Sequence, residues 1–266
     1  MPVKGLTRYF RLFRHIQNPG EYLFHKGKIR SRSLQFITKP YAISFLVPES
    51  VYQVFKEIFM ADVYEIDDLV KTLPIKPLVI DIGANVGFFD FLLLSKLDQA
   101  LIYSYEPLIS NVEKLEKTIL ANPAIQKNIF INQLAVTGSA QDFLELYSED
   151  TEDNQVVASI FSDFNANNSK SIKVPCITLS DIIRDTGFKT IDLLKMDCEG
   201  SEYDIIYNTR QELVQLIRKM VVEVHDVDAE KNNVTYFTNY LKQLGFAVTH
   251  QPINNFCHAL EAEKIG

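Results

Sequence analysis

The residues best equipped for chemistry stand at the ends of predicted strands. Leu78-Val79-Ile80-Asp81-Ile82, apolar apart from Asp81, runs straight into Gly83-Ala84-Asn85-Val86-Gly87. A glycine turn at the carboxyl end of a first strand lets the backbone approach a ligand and aims helix N–H groups at it. The dinucleotide spacing GxGxxG would need glycines where Asn85 and Phe88 stand, and no Gly-Lys-Ser/Thr follows as in a phosphate loop. The acid-x-Gly-x-Asn-x-Gly pattern fits S-adenosylmethionine instead: no pyrophosphate needs cradling, and Asp81 can sit near the methionyl ammonium. The next strand, Leu101–Tyr105, ends in Glu106-Pro107, 23 residues after Gly83. An acid there can accept hydrogen bonds from both ribose hydroxyls. Helix capping is the competing role for Glu106, and a tight turn without ligand is the competing role for Gly83 and Gly87.

A second cluster is richer in acids. The strand Ile191–Met196 leads into Asp197-Cys198-Glu199-Gly200-Ser201-Glu202. Asp197 and Glu199 are two apart, so they share one face if the strand geometry persists. Gly200 permits a sharp turn into a helix whose N-terminus favours carboxylates such as Glu199 and Glu202. Capping explains Glu202 but leaves Asp197 unexplained. On the neighbouring strand, Met220–His225, Glu223 and His225 again share a face. His225 is either a structural imidazole bonded to a carboxylate or a general base for an acceptor hydroxyl, with Asp197 the other candidate base. Asp197, Glu199 and His225 could meet around a metal ion, yet no HExxH or similar spacing supports one, and no metal is expected.

Strands and helices alternate so as to present these residues. Leu34–Thr38 and Tyr41–Val47 read as a hairpin-like pair, and Val51–Phe59 and Asp67–Leu73 as helices. From Pro77 the order is strand Leu78–Ile82, helix Val86–Lys96, strand Leu101–Tyr105, helix Ile109–Ala121 and strand Ile129–Ala135. It resumes with helix Leu179–Asp185, strand Ile191–Met196, helices Ser201–Tyr207 and Gln211–Arg218, and strand Met220–His225. Helix Val234–Leu244 and strand Phe246–His250 follow, with a last strand near Phe256–Glu261 expected to pair antiparallel at the edge. Apolar strands followed by amphipathic helices predict an α/β fold with a mainly parallel sheet covered on both faces. Between the third and fourth parallel strands, 142–174 interrupts the pattern with β-like runs Phe143–Tyr147 and Val156–Phe161 among polar tracts. A substrate lid or inert decoration both fit it.

With 47% hydrophobic and 23% charged side chains in 266 residues, and a net charge of only −7, the chain is neither disordered nor fibrous. Cys176, Cys198 and Cys257 form no CxxC pair, so neither a disulfide framework nor a zinc ribbon is expected and reduced cytosolic thiols are. No apolar run approaches the roughly 20 residues of a membrane span, and no secretory signal is read at the start. Charge is uneven: residues 1–39 hold nine Lys or Arg against the single acid Glu21, which leaves the rest near −15. Within that arm Leu6, Tyr9, Phe10, Phe13 and Ile16 fall at helical spacing with Arg8, Arg11 and Arg14 between them, and Asn18-Pro19-Gly20 ends the helix. Such a helix either docks on the chain's own acidic body or lies on an anionic membrane or partner. Nucleic acid is not an expected partner, because the body is acidic.

Taken together, Asp81–Gly87, Tyr105-Glu106-Pro107, the Lys-x-Asp-x-Glu-Gly-x-Glu block from Lys195 to Glu202, and Glu223-Val224-His225 resemble the FkbM family of methyltransferases. The lead-in Ile58–Glu65 and the segment Val174–Ile183 are similar to that family too, so the likeness covers about residues 45–250. The resemblance implies a Rossmann-like class I methyltransferase using S-adenosylmethionine, with an antiparallel edge strand. It implies transfer to a hydroxyl of a sugar, glycan, glycolipid or polyketide-type acceptor. N-methyl transfer, an NAD(P)-dependent oxidoreductase and a non-catalytic membrane-associated scaffold are the alternatives. Gly83, Asn85 and Gly87 would line the cofactor loop, Glu106 would hold the ribose, and Asp197 and Glu199 would face the methyl end. Tyr64 and Glu65 would close over the cofactor. The division implied is a basic extension over 1–45 with helical and hairpin elements, followed by a methyltransferase domain over 46–266. The arm and the 142–174 insertion would choose the acceptor, in a cytoplasmic protein that touches membranes at most peripherally.

Overall fold

The computed structural model describes residues 5–149 and 168–265. The arm forms helices α1 (Thr7–His15) and α2 (Gly20–His25), so Asn18-Pro19-Gly20 both ends one helix and starts the next. Strands β1 (Leu34–Ile37) and β2 (Ser44–Val47) pair antiparallel, Leu34 opposite Val47. Helix α3 (Tyr52–Lys56) widens into a π turn over Glu57–Ala61, and α4 (Ile66–Thr72) follows. Single π turns within helices are frequent at functional sites.

The parallel strands expected from the apolar runs are present. They are β3 (Leu78–Ile82), β4 (Leu101–Tyr105) and β5 (Ile129–Asn132), with α5 (Phe88–Leu94) and α6 (Ile109–Ala121) between them. Helix α5 begins two residues later than its apolar pattern suggests, because Gly87 adopts a left-handed conformation with φ +81°. The third strand is shorter than expected. The Leu134 amide closes on the Asn132 carbonyl at 2.9 Å, and this tight turn sends Ala135 into a second sheet as β6 (Ala135–Thr137). There β6 lies parallel to β8 (Asn168–Thr178), which pairs antiparallel with β7 (Phe143–Glu149). The expected strand Val156–Phe161 lies outside the described residues.

After α7 (Leu179–Thr186) come β9 (Leu193–Met196), α8 (Glu202–Asn208), α9 (Gln211–Val214) and β10 (Lys219–His225). Helix α10 (Val234–Gln243) and strands β11 (Phe246–Pro252) and β12 (Cys257–Lys264) end the chain. The main sheet runs β11-β12-β10-β9-β3-β4-β5. One detail differs from expectation: the antiparallel strand β12 is not at the edge but between β10 and β11, pairing with both. The chain reaches that place because β11 runs to the outer position first, and the turn at 253–256 folds β12 back into the gap. Strand order reverses between β3 and β9, and the carboxyl ends on either side of such a reversal form the ligand crevice of open α/β sheets.

One face of the sheet carries a core of Val79, Phe88, Phe91, Leu93 and Leu115; the other is built on Ile80, Leu194, Ile205, Val222 and Phe237. Leu12, Ile16, Leu34 and Phe36 of the arm belong to the first core, so the arm is packed on the domain. No helix among the described residues is long and apolar enough to cross a membrane.

Candidate active site

The carboxyl ends of β3, β4, β9 and β10 surround a cavity of about 390 Å³, within the size range of small-molecule sites. Six of the residues singled out in the sequence line it: Tyr64, Gly83, Asn85, Glu106, Asp197 and Glu199. Its other walls include Gln53 and Glu57 before the sheet, and Leu144 and Leu146 from the insertion.

Gly83 is required by contact as well as by conformation. Its φ is +77°, and an added Cβ would lie 1.8 Å from the Asp197 carbonyl oxygen. The two strand tips therefore touch through bare backbone. Asn85 is also left-handed at φ +51°, a state that Asn tolerates better than most residues. Gly87 is needed for packing, since an added Cβ would meet Leu115 Cδ1 at 2.4 Å, and it is not among the residues that line the cavity.

Glu106 is 5% exposed and holds the loop from the β4 side. Its Oε2 accepts from the Asn85 amide at 2.9 Å, and its Oε1 from the Leu108 amide at 3.0 Å and Asn111 Nδ2 at 3.3 Å. Burial pushes its carboxyl up to about 6, against those three hydrogen bonds and the charge of Lys195. Both sequence readings of Glu106 are thus compatible, since it tethers the turn while facing the cavity.

Asp81 lies beneath the site instead of in it. Lys195 Nζ sits 3.0 Å from Asp81 Oδ1 and donates to the Gly83 carbonyl at 2.7 Å. Burial opposes the charge on Lys195, but Asp81 and Asp197 overcome it and hold the ammonium above its ordinary pKa. Asp90, also buried, accepts from Ser104 Oγ at 2.7 Å, and burial together with the Asp81 charge keeps its carboxyl well above the usual range. Lys195 carried a sequence signal, a lone cation inside an apolar buried strand, to which no role was attached.

The acid cluster forms, but only Glu223 and His225 share a strand face as their spacing implies; β9 ends at Met196, and Glu199 reaches the cluster from a turn in which its own φ is +51°. Asp197 Oδ2 accepts from the Tyr64 hydroxyl at 3.3 Å. Glu202, fully buried, caps the turn through Oε1, which accepts from the Cys198 and Gly200 amides at 3.2 Å. The same oxygen meets His225 Nδ1 at 3.2 Å, while His225 Nε2 lies 3.4 Å from Glu199 Oε2 and 3.9 Å from Glu223 Oε1. Ligand-type atoms of Asp197, Glu199 and His225 lie within 4.8 Å of one another. Burial lowers the imidazole's affinity for its second proton, but the hydrogen bonds to Cys257 and Glu202 and the charges of Glu202 and Glu199 reverse this. His225 is therefore held protonated well above its ordinary pKa. Burial pushes Glu199 up to about 7, with Asp197 and Glu202 adding and His225 opposing. Glu223 is pushed up to about 8 by burial and the Asp197 charge, against the Cys257 thiol and His225.

His225 stands behind Glu199 and Glu223 and is not among the lining residues, whereas Glu223 is. Glu65 is turned away and lines a neighbouring groove. The sequence placed Glu223 on the right face without giving it a task, and Glu57 was missed because its helix offered no chemical spacing.

Among the described residues, five carboxyl groups line the cavity, from Glu57, Glu106, Asp197, Glu199 and Glu223, against one ammonium, that of Lys195, already paired with Asp81. Glu199 and Glu223 are partly protonated near neutrality, but the crowding still makes the walls negative, which favours a cationic ligand over a pyrophosphate. The observed donors and acceptors thus fit S-adenosylmethionine, whose sulfonium and ammonium are both positive, and do not fit a nicotinamide dinucleotide.

Comparison with known proteins agrees. The chain is 26% identical over 233 residues to methyltransferase sdnD of Sordaria araneosa, covering 79% of this chain and 86% of that protein. A shorter stretch of 79 residues is 35% identical to the 31-O-demethyl-FK506 methyltransferase FkbM of Streptomyces tacrolimicus, covering 30% of this chain and 29% of that one. A solved S-adenosylmethionine-dependent methyltransferase from Agrobacterium tumefaciens superimposes with a TM-score of 0.51 at 8% identity, covering 88% of this chain and 70% of that one, a likeness of fold. Residues 81–248 match the family described as the methyltransferase FkbM domain. With more than half its length in that match, the chain belongs to the FkbM family of methyltransferases and uses S-adenosylmethionine.

Proposed function

We propose that the enzyme methylates a hydroxyl oxygen of a glycan, glycolipid or polyketide-type acceptor. The observation that carries this reading is the set of carboxyl groups facing one cavity, Asp197, Glu199 and Glu223, backed by a protonated imidazole. The related FkbM protein is named as a methyltransferase of 31-O-demethyl-FK506, a name that points to oxygen and so supports the same class of acceptor atom.

S-adenosylmethionine, when bound, supplies an electrophilic methyl group on a sulfonium. The residues that would hold it are Gly83 and Asn85 in the loop, Glu106 at the ribose, and Asp197 with Tyr64 at the methionine end. A sugar or alkyl hydroxyl scarcely ionises at neutral pH, so a neighbouring base must take its proton as the new bond forms, a contribution of about 10²–10⁴-fold. A carboxylate with a pKa near neutrality suits that task, and Glu199 and Glu223 have this property. His225 takes a different part from the base suggested by its type alone. Already protonated and anchored at Nδ1 by Glu202, it keeps the two carboxyls that face its Nε2 ionisable. Alignment of acceptor oxygen and methyl group within the cavity supplies the rest, up to roughly 7–11 kcal/mol where positioning is good.

The test is transfer of tritiated methyl from S-adenosylmethionine to a panel of hydroxylated and aminated acceptors. An alkali-stable ether product that is lost in the Glu199→Gln/Glu223→Gln variant is expected. Label found on nitrogen, with hydroxyl acceptors untouched, would overturn the reading.

A further inference from the structure

The apolar arc of α1 is wider than the part its own domain covers. At 100° per residue, Tyr9, Leu12 and Ile16 form one side of the arc and face the core. Leu6, Phe10 and Phe13, spaced i, i+4 and i+7, form the other side and are 86%, 75% and 47% exposed. On α2, Phe24 is 80% exposed.

The helix cannot roll to hide them, because its other contacts fix its orientation. Arg11 donates to the Ala61 carbonyl, His15 Nε2 lies 3.1 Å from Asp67 Oδ2, and Arg14 Nε lies 2.7 Å from the same oxygen. The Gln17 amide then donates to the Ile37 carbonyl at 2.7 Å, and Tyr9 packs edge-on against Tyr22. These aromatic side chains are therefore held outward by a fixed frame.

Around them the exposed charge is mainly positive, since the arm's cations outnumber Asp67, Glu49 and Glu21, the acids that pair with Arg14, Arg30 and Arg32. Arg8, Arg14, Lys26, Lys28, Arg30 and Arg32 are exposed, and Glu21, the single acid of residues 5–39, is paired with Arg32 and His25. The rest of the chain is acidic and would be repelled by an anionic surface, so an approach to one can be made only by this end. Apolar side chains that enter the acyl boundary, ringed by cations spread over two helices and the turn after them, complement a broad anionic sheet better than a point ligand.

We propose that α1 and α2 dock the enzyme on an anionic lipid bilayer, with Leu6, Phe10, Phe13 and Phe24 inserted at the headgroup level. A groove of about 270 Å³ adjoins this face, walled by Arg8, Arg11 and Tyr22 of the arm and by Gln53 and Glu57, which also line the cofactor cavity. Docking places the approach to the reaction centre beside the lipid surface.

The experiment is co-flotation of the full chain with vesicles of phosphatidylcholine, alone or with about a third phosphatidylglycerol. Wild type is expected to float with the anionic vesicles only, and to lose binding in about 0.5 M salt, where the Debye length falls to a few ångströms. The Phe10→Ser/Phe24→Ser variant should bind roughly a hundredfold more weakly or worse, since each of the two buried aromatic rings contributes at least about tenfold. Lys28→Glu/Arg30→Glu, altered at two exposed side chains of which Arg30 pairs with exposed Glu49, is a second variant and should be equally impaired. Thermal melting and calorimetric binding of S-adenosylhomocysteine, unchanged in both, show that fold and cofactor site are intact. No binding of wild type to anionic vesicles, or equal binding by all three proteins, overturns the proposal. So does self-association in light scattering that vanishes in the aromatic variant, which assigns the face to a second copy of the chain. Cofactor binding is read separately, so failure here leaves the methyl-transfer reading standing.

Discussion

Replacing His225 by Gln tests the charge logic of the site directly. The imidazolium Nε2 is 3.4 Å from Glu199 and 3.9 Å from Glu223. At an effective dielectric of about 20, unit charges 3.4 Å apart attract by about 5 kcal/mol. Solvent reaches Glu199, whose side chain is 23% exposed, and screens part of this. A residue of about 1.4 kcal/mol is enough to move a pKa by one unit. Glutamine keeps the shape and loses the charge, so the Glu199 titration should rise from about 7 by at least about one unit, with Glu223 moving the same way. The assay is carbon-13 NMR of the δ-carboxyls in glutamate-labelled protein over a pH series, with S-adenosylhomocysteine binding as the check on folding. Methyl transfer should survive in the variant but require a higher pH, because the base must be deprotonated. A Glu199 titration that stays put or falls would refute the reasoning. So would a variant inactive at every pH while still binding cofactor, which would return the role of base to His225 itself.

Glu106→Gln should weaken calorimetric binding of S-adenosylhomocysteine by about 1.5–3 kcal/mol, the loss of a charged hydrogen-bond acceptor. Wild-type affinity should decline as pH falls through about 6, where Glu106 gains its proton, and the variant should be insensitive over that range. Gly83→Ala should lower the melting temperature and abolish cofactor binding, because its Cβ would overlap the Asp197 carbonyl in a backbone conformation that already costs a side chain about 1–2 kcal/mol. Lys195→Met should destabilise the fold by about 3–5 kcal/mol in urea melts, since it leaves Asp81 buried and unpaired, and Asp81→Asn in the same chain should recover much of that loss.

The fold was largely legible because its period is simple. Leu78–Ile82 and Leu101–Tyr105 are apolar runs bounded by turn residues, and the structure places both strands at those limits. Boundaries slipped where a single backbone event decides them: the left-handed Gly87 delays α5, and the turn at Asn132 cuts β5 short. The position of β12 could not be read, because pattern tells which faces a strand buries but not which neighbours it joins. At the site, spacing brought Asp197 and Glu223 to the ends of neighbouring strands, while Glu199 arrives through a left-handed turn that the pattern did not show. It could not show that Asp81 is consumed by Lys195, or that Glu202 reaches across to the imidazole, since both contacts join distant elements. Residue type could not show the surroundings of His225, three carboxyl groups contributed by Glu199, Glu202 and Glu223 from two different segments.

The bare contact between Gly83 and the Asp197 carbonyl, fastened by Lys195, makes the two reactive strand tips one rigid unit. Neither can shift to suit a new acceptor without disturbing the other. Gln53, Leu144 and Leu146 come from segments outside that unit and still face the cavity. Changes of acceptor range should therefore accumulate at those three positions, in natural variants and in designed libraries alike, while the reactive centre stays constant.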